Sequence, residues 1–452
     1  KNMVNTVNRF NLGFLSRLIA TCTIGALSSS ISLAASQAES SNDHTMSLQQ
    51  VSTQTEATRI VDNIYSAKGF GNTFLIVTDE GNVVIDSSLA SYAPKHKALL
   101  NKVDSREPKF IIITHAHGDH IGGVPLWKAE KTKVIMQEAS IEFLHYQERL
   151  KGFFKRRNAA QFGFDLSESD QAETAPGNYD AAIPVDVTFT DKHSFKLGEL
   201  SFQVLATPSE THDALSVWIP ERKAVFVGDL FYRSFPNIYT LRGTKPRWAL
   251  DYVNSLDKVM ALNAEILIPS HGEPIFGGTE VRQTLKQYRD AILYVHNAVV
   301  QGMNAGKSVD TLAAEISLPK ELQISEIYGR VDWSVRGIYQ GYAGWFDGNP
   351  STMLGINALN SARELVELAG GVDTVTSKAE SLFEEGKFDE ALSLSDVVLG
   401  VDAANKQANS LRLKIFSREL AETKNFNSSG WLKYGIRESE KALKSRETLK
   451  PN

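Results

Sequence analysis

The segment KFIIITHAHGDHIGG, residues 109–123, restricts the fold of this chain more than any other stretch. An isoleucine-rich run, typical of a buried strand, ends directly in His115 and His117, and Asp119 and His120 follow in the next turn. Alternate residues of an extended strand point the same way, so the first two histidines share one side. Imidazole and carboxylate groups are ligands that zinc prefers in proteins. A lone histidine in an apolar strand is more often a core residue, but this cluster predicts a metal site.

Other strand-like runs, far along the chain from this cluster, also end in polar residues. Four ligands from a single loop cannot close around one ion, so more distant ligands are expected. The segment TPSETHD follows one apolar run and contains Glu210 and His212. Two further runs end in Asp229 and His271. Because ligand sites of α/β proteins gather at the carboxyl ends of strands, we expect these side chains to meet the histidine cluster.

The composition of the chain excludes several other kinds of protein. Its 452 residues suffice for two or three domains, and its 42% hydrophobic and 22% charged content is ordinary for a globular protein. A net charge of −5 gives no basic surface stripe, so nucleic acid is not an expected partner. Cys22 is the only cysteine, which rules out a disulfide within the chain and a cysteine-ligated metal site.

The first residues of the chain, 1–38, have the pattern of a secretory signal peptide. Arg9 and Arg17 provide its positive start, and a mildly apolar stretch covers residues 18–33. Residues 36–38 then offer a cleavage site of small residues. The alternative is a transmembrane anchor, but four serines and two threonines make the stretch a poor membrane span. We expect an exported protein, periplasmic or secreted, without a stable membrane span.

From about residue 318 the sequence pattern becomes helical. Within DTVTSKAESLFEEGKFDEALSLSDVVLG, apolar residues recur at helical spacing on both sides of Gly386, which predicts two antiparallel helices. The pair resembles a single tetratricopeptide-like hairpin, and no second copy is evident. Its apolar residues, among them Leu382, Phe383 and Phe388, exceed what one hairpin can bury. We expect the remainder to pack on the preceding domain and on a second subunit, giving a homodimer rather than a monomer.

The four polar motifs, in this order between residues 59 and 278, resemble those of the metallo-β-lactamase superfamily of dinuclear zinc hydrolases. The resemblance implies an αββα sandwich, of the α+β class, with both metals at one edge of its two sheets. It also implies a shared hydroxide as nucleophile, because metal-bound water ionises near neutral pH. The implied catalytic residues are Asp119 and Asp229. The implied ligands are His115, His117 and Glu210 for one zinc, Asp119, His120 and His271 for the other, and Asp229 as the bridge.

Position 210 narrows the resemblance to one branch of that superfamily. Many relatives carry histidine there, whereas Glu210 is similar to the alkylsulfatases. The segment NIYTLRG resembles the part of those enzymes that lines the sulfate pocket, with Asn237 and Arg242 at matching positions. The planar fork of an arginine pairs well with a tetrahedral oxyanion, and a neutral amide adds a donor. Residues 328–351 resemble the signature that leads into the dimerisation domain of this branch, and Tyr328 is expected to contact substrate.

Three departures limit what the resemblance implies. Asp229 stands where alkylsulfatases have glutamate, which keeps the charge but shortens its reach. Phe162 stands where a tyrosine is expected, so one phenolic donor to the substrate is missing. The sequence ends at Asn452 without the sterol-carrier-like domain of many relatives, so no preference for long detergent-like chains is implied. His212, two residues after Glu210, is expected to support the ligands rather than to bind metal.

These patterns predict a signal peptide at residues 1–38, a metallo-β-lactamase-like catalytic domain at residues 55–300 and a helical dimerisation domain at residues 318–452. The predicted activity is hydrolysis of alkyl sulfate monoesters to an alcohol and inorganic sulfate, with two zinc ions per subunit. One alternative is another hydrolase on the same scaffold, acting on a lactam, thioester or phosphodiester, because the metals activate water for any of these. The other is a non-catalytic metal-binding scaffold whose helical surface is the active part.

Overall fold

The computed structural model describes residues 53–163, 183–355 and 358–445 of the chain. Two β-sheets, helices on the outer face of each sheet, and a helical C-terminal region make up this part. The predicted signal peptide and Cys22 lie outside the described residues. Within the described part, no helix is long and apolar enough to cross a membrane.

The first sheet has seven strands, which lie side by side in chain order. The strands are β1 Thr58–Val61, β2 Ile64–Ala67, β3 Thr73–Thr78, β4 Gly81–Ile85, β5 Pro108–Ile112, β6 Lys133–Gln137 and β7 Val187–Phe189. Strands β1 to β4 pair antiparallel, and β4 to β7 pair parallel. The parallel strands therefore bring their carboxyl ends to one edge of the sheet.

The second sheet has six strands, in the order β13, β12, β11, β10, β9 and β8. The strands are β8 Lys192–Leu197, β9 Leu200–Ala206, β10 Leu215–Ile219, β11 Ala224–Gly228, β12 Ile266–Pro269 and β13 Ile275–Phe276. Only the pair β11 and β12 is parallel among these described strands; the others are antiparallel. The parallel pair directs the chain after β11 and after β12 towards the same edge.

Helices accompany both sheets and continue beyond them. In the first part of the chain they are α1 Ala93–Asn101, α2 Gly118–Ile121, α3 Val124–Trp127, α4 Ala139–Arg149, α5 Lys151–Phe162, α6 Ala249–Met260 and α7 Gly278–Asn304. Those that follow are α8 Val309–Glu315, α9 Val331–Ala343, α10 Pro350–Met353, α11 Ala358–Leu368, α12 Val372–Glu384, α13 Phe388–Val401, α14 Lys406–Glu422 and α15 Phe426–Ser445. Short 3-10 turns cover Pro220–Arg222 and Lys320–Leu322.

Three layers of apolar side chains hold the sandwich together. The central layer lies between the sheets, where the rings of Phe74 and Phe226 are 5.1 Å apart. Neighbouring strand residues such as Leu75 point to the opposite face and pack under helices α3 and α4. On the second sheet, Val225 packs in the same way under α6 and α7. Because both faces of the central strands are buried, strands such as β4, β10 and β11 are almost continuously apolar. The predicted αββα sandwich is confirmed.

The core of the second sheet extends into the segment after α7. Leu312 of α8 and Val335 of α9 belong to the same buried cluster as Leu256 of α6 and Leu285 of α7. The predicted boundary near residue 300 therefore falls inside one continuous core. Helices α8 and α9 support the sandwich rather than form a separate layer with the helices that follow.

The C-terminal region is all-helical, as predicted, and contains the expected hairpin. Helices α12 and α13 are joined by a three-residue turn in which Gly386 adopts a positive φ of 78°, a conformation that favours glycine. The sequence indicated only this pair, whereas the structure adds α14 and α15. Leu382 packs against Leu411 of α14, and Val398 against Val366 of α11. The apolar excess of the hairpin is thus covered largely by neighbouring helices, which the sequence analysis did not foresee.

Candidate active site

The seven predicted metal ligands come together at one edge of the sandwich. The loop after β5 and the short helix α2 supply four of them, the loop between β9 and β10 supplies one, and the chain after β11 and after β12 supplies the last two. All are buried except Asp119, which is half-buried. They are, in that order, His115, His117, Asp119, His120, Glu210, Asp229 and His271.

Three groups of these residues could each hold a metal ion, because their ligand atoms lie within 4.8 Å of one another. The groups are His115 with His120 and Asp229, Asp119 with His120 and His271, and His117 with Glu210 and Asp229. The second group matches the ligand set predicted for one zinc. Asp229 occurs in the other two groups, and its Oδ1 is also 3.3 Å from His271 Nε2, a position suited to a bridging ligand. The division of ligands between individual metals remains a prediction.

The polar atoms of this cluster fit a cation. His120 Nε2 and Asp229 Oδ1 are buried 3.5 Å apart, and neither has a hydrogen-bond partner among the described residues. His271 Nε2 is 3.3 Å from both Asp119 Oδ2 and Asp229 Oδ1. Burying polar atoms without partners is unfavourable, and a metal bound between them would satisfy them. Imidazole and carboxylate together make a donor set suited to zinc.

Asp86, which the sequence analysis did not select, fixes the orientation of His120. Its carboxylate, fully buried at the end of β4, lies 2.8 Å from His120 Nδ1. The hydroxyls of Thr114 and Ser270 donate to the same carboxylate at 2.9 and 2.6 Å, and the Thr114 backbone N–H donates at 2.8 Å. A carboxylate behind a metal-binding imidazole sets its tautomer and leaves Nε2 directed at the metal. Asp86 follows the end of a strand-like apolar run, as Asp229 does, so the sequence pattern that identified Asp229 also fits Asp86.

The four histidines divide into two kinds. Burial, together with the neighbouring His120, lowers the pKa of His115 to about 3. Burial also holds the pKa of His117 well below its ordinary value. Burial lowers the pKa of His271 as well, but Asp229 and Asp119 reverse that shift and raise it to about 10. Burial also lowers the pKa of His120, but Asp119, Asp229 and Asp86 outweigh burial and hold it well above its ordinary value.

Glu210 is paired with a buried arginine that the sequence analysis also missed. Arg247 Nη1 lies 2.7 Å from Glu210 Oε1, and the Tyr232 hydroxyl donates to Oε2 at 3.3 Å. Arg247 Nη1 also donates to the backbone carbonyl of Asn237 at 2.6 Å. Burial raises the pKa of Glu210, while Arg247 opposes the shift. Arg247 thus connects a predicted metal ligand to the predicted substrate segment.

The predicted substrate residues lie at different distances from the cluster. Arg242 Nη2 is 3.2 Å from His117 Nε2, so its guanidinium borders the metal site directly. Asn237 is buried, and its Oδ1 has no hydrogen-bond partner within residues 53–163, 183–355 and 358–445. Tyr328 is half-buried, and its ring packs edge-on at 5.5 Å against that of Tyr232.

The residues following Glu210 separate into an exposed and a buried one. His212 is exposed and belongs to none of the three groups found in the described part of the chain. Asp213, which the sequence analysis did not select, is buried, and its Oδ2 accepts the backbone N–H of Ala116 at 2.8 Å. It therefore fixes the backbone between His115 and His117.

Phe162 stands beside the site in an aromatic cluster. Its ring lies 6.2 Å from Phe70 and 5.9 Å from Phe426, and Phe70 lies 5.8 Å from the ring of His271. The three phenylalanines come from the loop after β2, the end of α5 and the start of α15. An apolar wall thus adjoins the polar cluster at the position where a tyrosine was expected.

Two family models match the chain. Residues 67–271 match the metallo-β-lactamase superfamily, and residues 308–441 match alkyl sulfatase dimerisation. A linear primary-alkylsulfatase from a Pseudomonas species is 32% identical over 397 residues, which cover 83% of this chain and 75% of that protein. An (R)-specific secondary-alkylsulfatase from Pseudomonas is 27% identical over 399 residues, covering 81% and 60%.

Solved structures agree on the fold. The stereoselective inverting sec-alkylsulfatase Pisa1 from Pseudomonas superposes with a TM-score of 0.77 at 23% identity, covering 85% of this chain and 65% of that one. The structure of a double mutant of the sec-alkyl sulfatase PisA1 superposes with a TM-score of 0.78. The chain spans less than two thirds of the length of the secondary-alkylsulfatases it matches. The two matched regions and the similarity to the primary-alkylsulfatase together establish that this chain belongs to the metallo-β-lactamase superfamily, in its alkylsulfatase branch.

Proposed function

We propose that this protein is a dinuclear zinc hydrolase that cleaves alkyl sulfate monoesters to an alcohol and inorganic sulfate. The observation that carries the proposal is the position of Arg242, whose guanidinium lies 3.2 Å from the His117 imidazole in the predicted metal cluster. A guanidinium beside a metal centre suits a substrate with a tetrahedral anionic group. A lactam or a thioester has no such group for this arginine to bind.

The seven clustered residues would hold the metals in the arrangement that the resemblance implies. Asp119, His120 and His271 would bind one ion, His115, His117 and Glu210 the other, and Asp229 both. Bound metal would supply an ionised water near neutral pH and polarise the ester oxygens. Asp86 keeps His120 in the tautomer that binds through Nε2.

Charge balance supports an anionic substrate. Two divalent ions would outweigh the carboxylates of Asp119, Glu210 and Asp229. Arg247 pairs with Glu210, and Arg242 adds an unmatched positive charge beside the metals. Arg242 and the two ions would therefore attract the anionic group of a sulfate ester before any specific contact forms. Arg242 and Asn237 would orient the sulfate group.

The aromatic cluster suits the other half of such a substrate. Phe70, Phe162 and Phe426 would provide an apolar surface beside His271 for the alkyl group. Burial of methylene groups on such a surface is worth roughly 0.8 kcal/mol each when complete. An ester with a longer apolar group should therefore bind more tightly until the wall is fully covered.

The assembly is proposed to be a homodimer through the C-terminal region, which matches the alkyl sulfatase dimerisation family. Large apolar side chains in this region are exposed, most strongly Leu354 at 79% and Leu368 at 84%. We define the exposed apolar set as Trp345, Met353, Leu354, Leu365 and Leu368. Covering these side chains in a symmetric interface would remove them from water. The proposed location, periplasmic or secreted, rests on the predicted signal peptide.

The test is a comparison of substrates on purified protein with a measured zinc content. Short alkyl sulfates should release inorganic sulfate, with a kcat/KM at least a hundredfold above that for a lactam, a thioester and a phosphodiester. If the protein carries about two zinc ions per chain but hydrolyses only one of the other substrates, that substrate would replace the sulfate ester in the proposed function. Absence of zinc and of all four activities would favour the binding scaffold.

A further inference from the structure

The last described helix, α15, approaches helix α5 of the sandwich unusually closely. Gly430 faces the backbone carbonyl of Gln161, and a Cβ at position 430 would overlap that oxygen. The contact is backbone against backbone, so no flexible side chain can move aside. Glycine at position 430 is therefore required for α15 to lie at this distance from α5.

Gln161, on the α5 side of this contact, holds the predicted substrate segment. Its side chain is fully buried, and Oε1 accepts the backbone N–H of Arg242 at 2.8 Å. Its Nε2 donates to the Thr240 hydroxyl at 3.1 Å. Arg157, one turn earlier on α5, donates to the carbonyl of Leu241. Three consecutive residues, 240–242, are thus bound by two side chains of α5.

Helix α15 contacts both of these supports and a third substrate residue. The ring of Trp431 lies 5.3 Å from the guanidinium of Arg157. At the start of the helix, the side-chain amides of Asn425 and Asn427 donate to the carbonyl of Tyr328 at 3.0 and 3.1 Å. The Phe426 backbone N–H donates to the backbone carbonyl of Ile327 at 2.8 Å. By contrast, every predicted metal ligand lies in the sandwich and follows a strand end.

We infer that the first part of α15, residues 426–431, is part of the sulfate-binding machinery: packed on α5 through Gly430, it sets the position of Gln161 and thereby of Arg242. Gln161 and Gly430 are positioning residues, since Gln161 acts through residues 240–242 and Gly430 through Gln161. This inference rests on the proposed function, in which Arg242 binds the sulfate. It gives the C-terminal region a role in substrate recognition that is separate from dimerisation.

The alternative is that α15 only stabilises the fold. The two roles differ in what a small displacement of the helix would change. Misplacing a binding group by about 1 Å can lower a rate about a hundredfold even when the fold survives. Because the metal ligands follow the sheet edge, such a displacement should spare the zinc sites.

A matched pair of glycines on α15 separates these roles. Gly430→Ala forces α15 away from Gln161, whereas Gly435→Ala introduces a methyl group against the ring of Phe416 in α14, away from the sandwich. Both variants of the full chain are compared with the wild type in zinc content, thermal unfolding, kcat and KM on a short alkyl sulfate, and calorimetric affinity for inorganic sulfate.

We expect Gly430→Ala to weaken sulfate affinity and raise KM by roughly tenfold or more, with zinc content unchanged. For Gly435→Ala, KM and sulfate affinity should stay within about twofold of the wild-type values, even if its melting temperature falls as far as that of Gly430→Ala. Gln161→Met, which keeps the volume but loses the hydrogen bonds, should reproduce the effect of Gly430→Ala without touching α15. Gln161→Met also tests the inference if the Gly430→Ala variant does not fold.

Two results would overturn the inference. Equal sulfate affinity in the two glycine variants, with Gln161→Met like the wild type, would reduce α15 to a stabilising element while leaving the proposed function intact. A wild-type protein that carries zinc but neither binds inorganic sulfate nor hydrolyses the ester would overturn the proposed function, and this inference with it.

Discussion

The metal edge and the substrate segment lie in contact, yet the protein positions them by different means. The metal edge is built from residues that follow the ends of β5, β9, β11 and β12, so the sheets position the segments that carry them. The substrate segment, residues 237–247, is irregular, and side chains from other elements hold it. Gln161 and Arg157 bind its middle, and Arg247 ties its end back to Asn237. Metal binding should therefore tolerate changes in the helices better than substrate binding does.

The largest expected effect comes from the metal edge itself. Asp229→Ala removes a carboxylate that belongs to two of the three groups, and we expect kcat/KM to fall at least ten-thousandfold, roughly 5.5 kcal/mol. The zinc content should drop below two per chain while the circular dichroism spectrum keeps its shape. Two zinc ions and near-normal turnover in this variant would contradict a bridging role.

The next effect tests the link between the two regions. Arg247→Met leaves Glu210 buried without its positive partner, which should cost about 3–5 kcal/mol of unfolding free energy in the metal-free protein. Adding Glu210→Gln should recover a large part of this loss, because the buried charge is then gone. Chemical denaturation of the two single variants and the double variant measures the coupling. Strictly additive effects would mean that the two side chains do not stabilise each other.

A smaller effect is expected within the substrate segment. Arg242→Lys keeps the charge but loses the planar fork, and should lower kcat/KM on sulfate esters ten- to a hundredfold, about 1.4–2.8 kcal/mol. Zinc content should be unchanged, in contrast to Asp229→Ala. Steady-state kinetics with metal analysis of the same preparation gives both values. Wild-type kinetics of the Arg242→Lys variant would mean that the sulfate group binds elsewhere.

The smallest effect on activity is expected from the exposed apolar set. Leu354→Glu with Leu368→Glu should halve the mass measured by light scattering, because two charges would enter a proposed dimer interface, while turnover remains within about twofold. The matched control is Leu126→Glu, a leucine that is also exposed but lies in the sandwich. A wild-type mass of one chain that does not rise with concentration would exclude the dimer.

The sequence was sufficient to predict the metal edge because each group of ligands follows an apolar run, a signal that can be recognised without knowledge of the fold. Asp86 carries the same signal in NVVIDSS, so the pattern that identified Asp229 also fits Asp86. Arg247 and Gln161 have no local signal. Their roles arise from contacts with Glu210 and Arg242, which lie 37 and 81 positions away.

The helical region was predicted less well for a related reason. Helical periodicity identified α12 and α13 and their turn at Gly386, but it cannot tell which neighbour covers an apolar face. Leu382 and Val398 are covered by α14 and α11, within the same region. The large apolar side chains that remain most exposed lie earlier, between Trp345 and Leu368, outside the hairpin that the sequence indicated.

The central claim is that two metals at the sheet edge lie next to an arginine-based sulfate site. Anomalous diffraction at the zinc edge, from crystals of the zinc-loaded protein with inorganic sulfate, tests it most directly. We predict two zinc peaks, one among Asp119, His120 and His271 and one beside His117 and Glu210, with Asp229 between them and sulfate against Arg242. A single peak, or sulfate bound away from Arg242, would contradict the account.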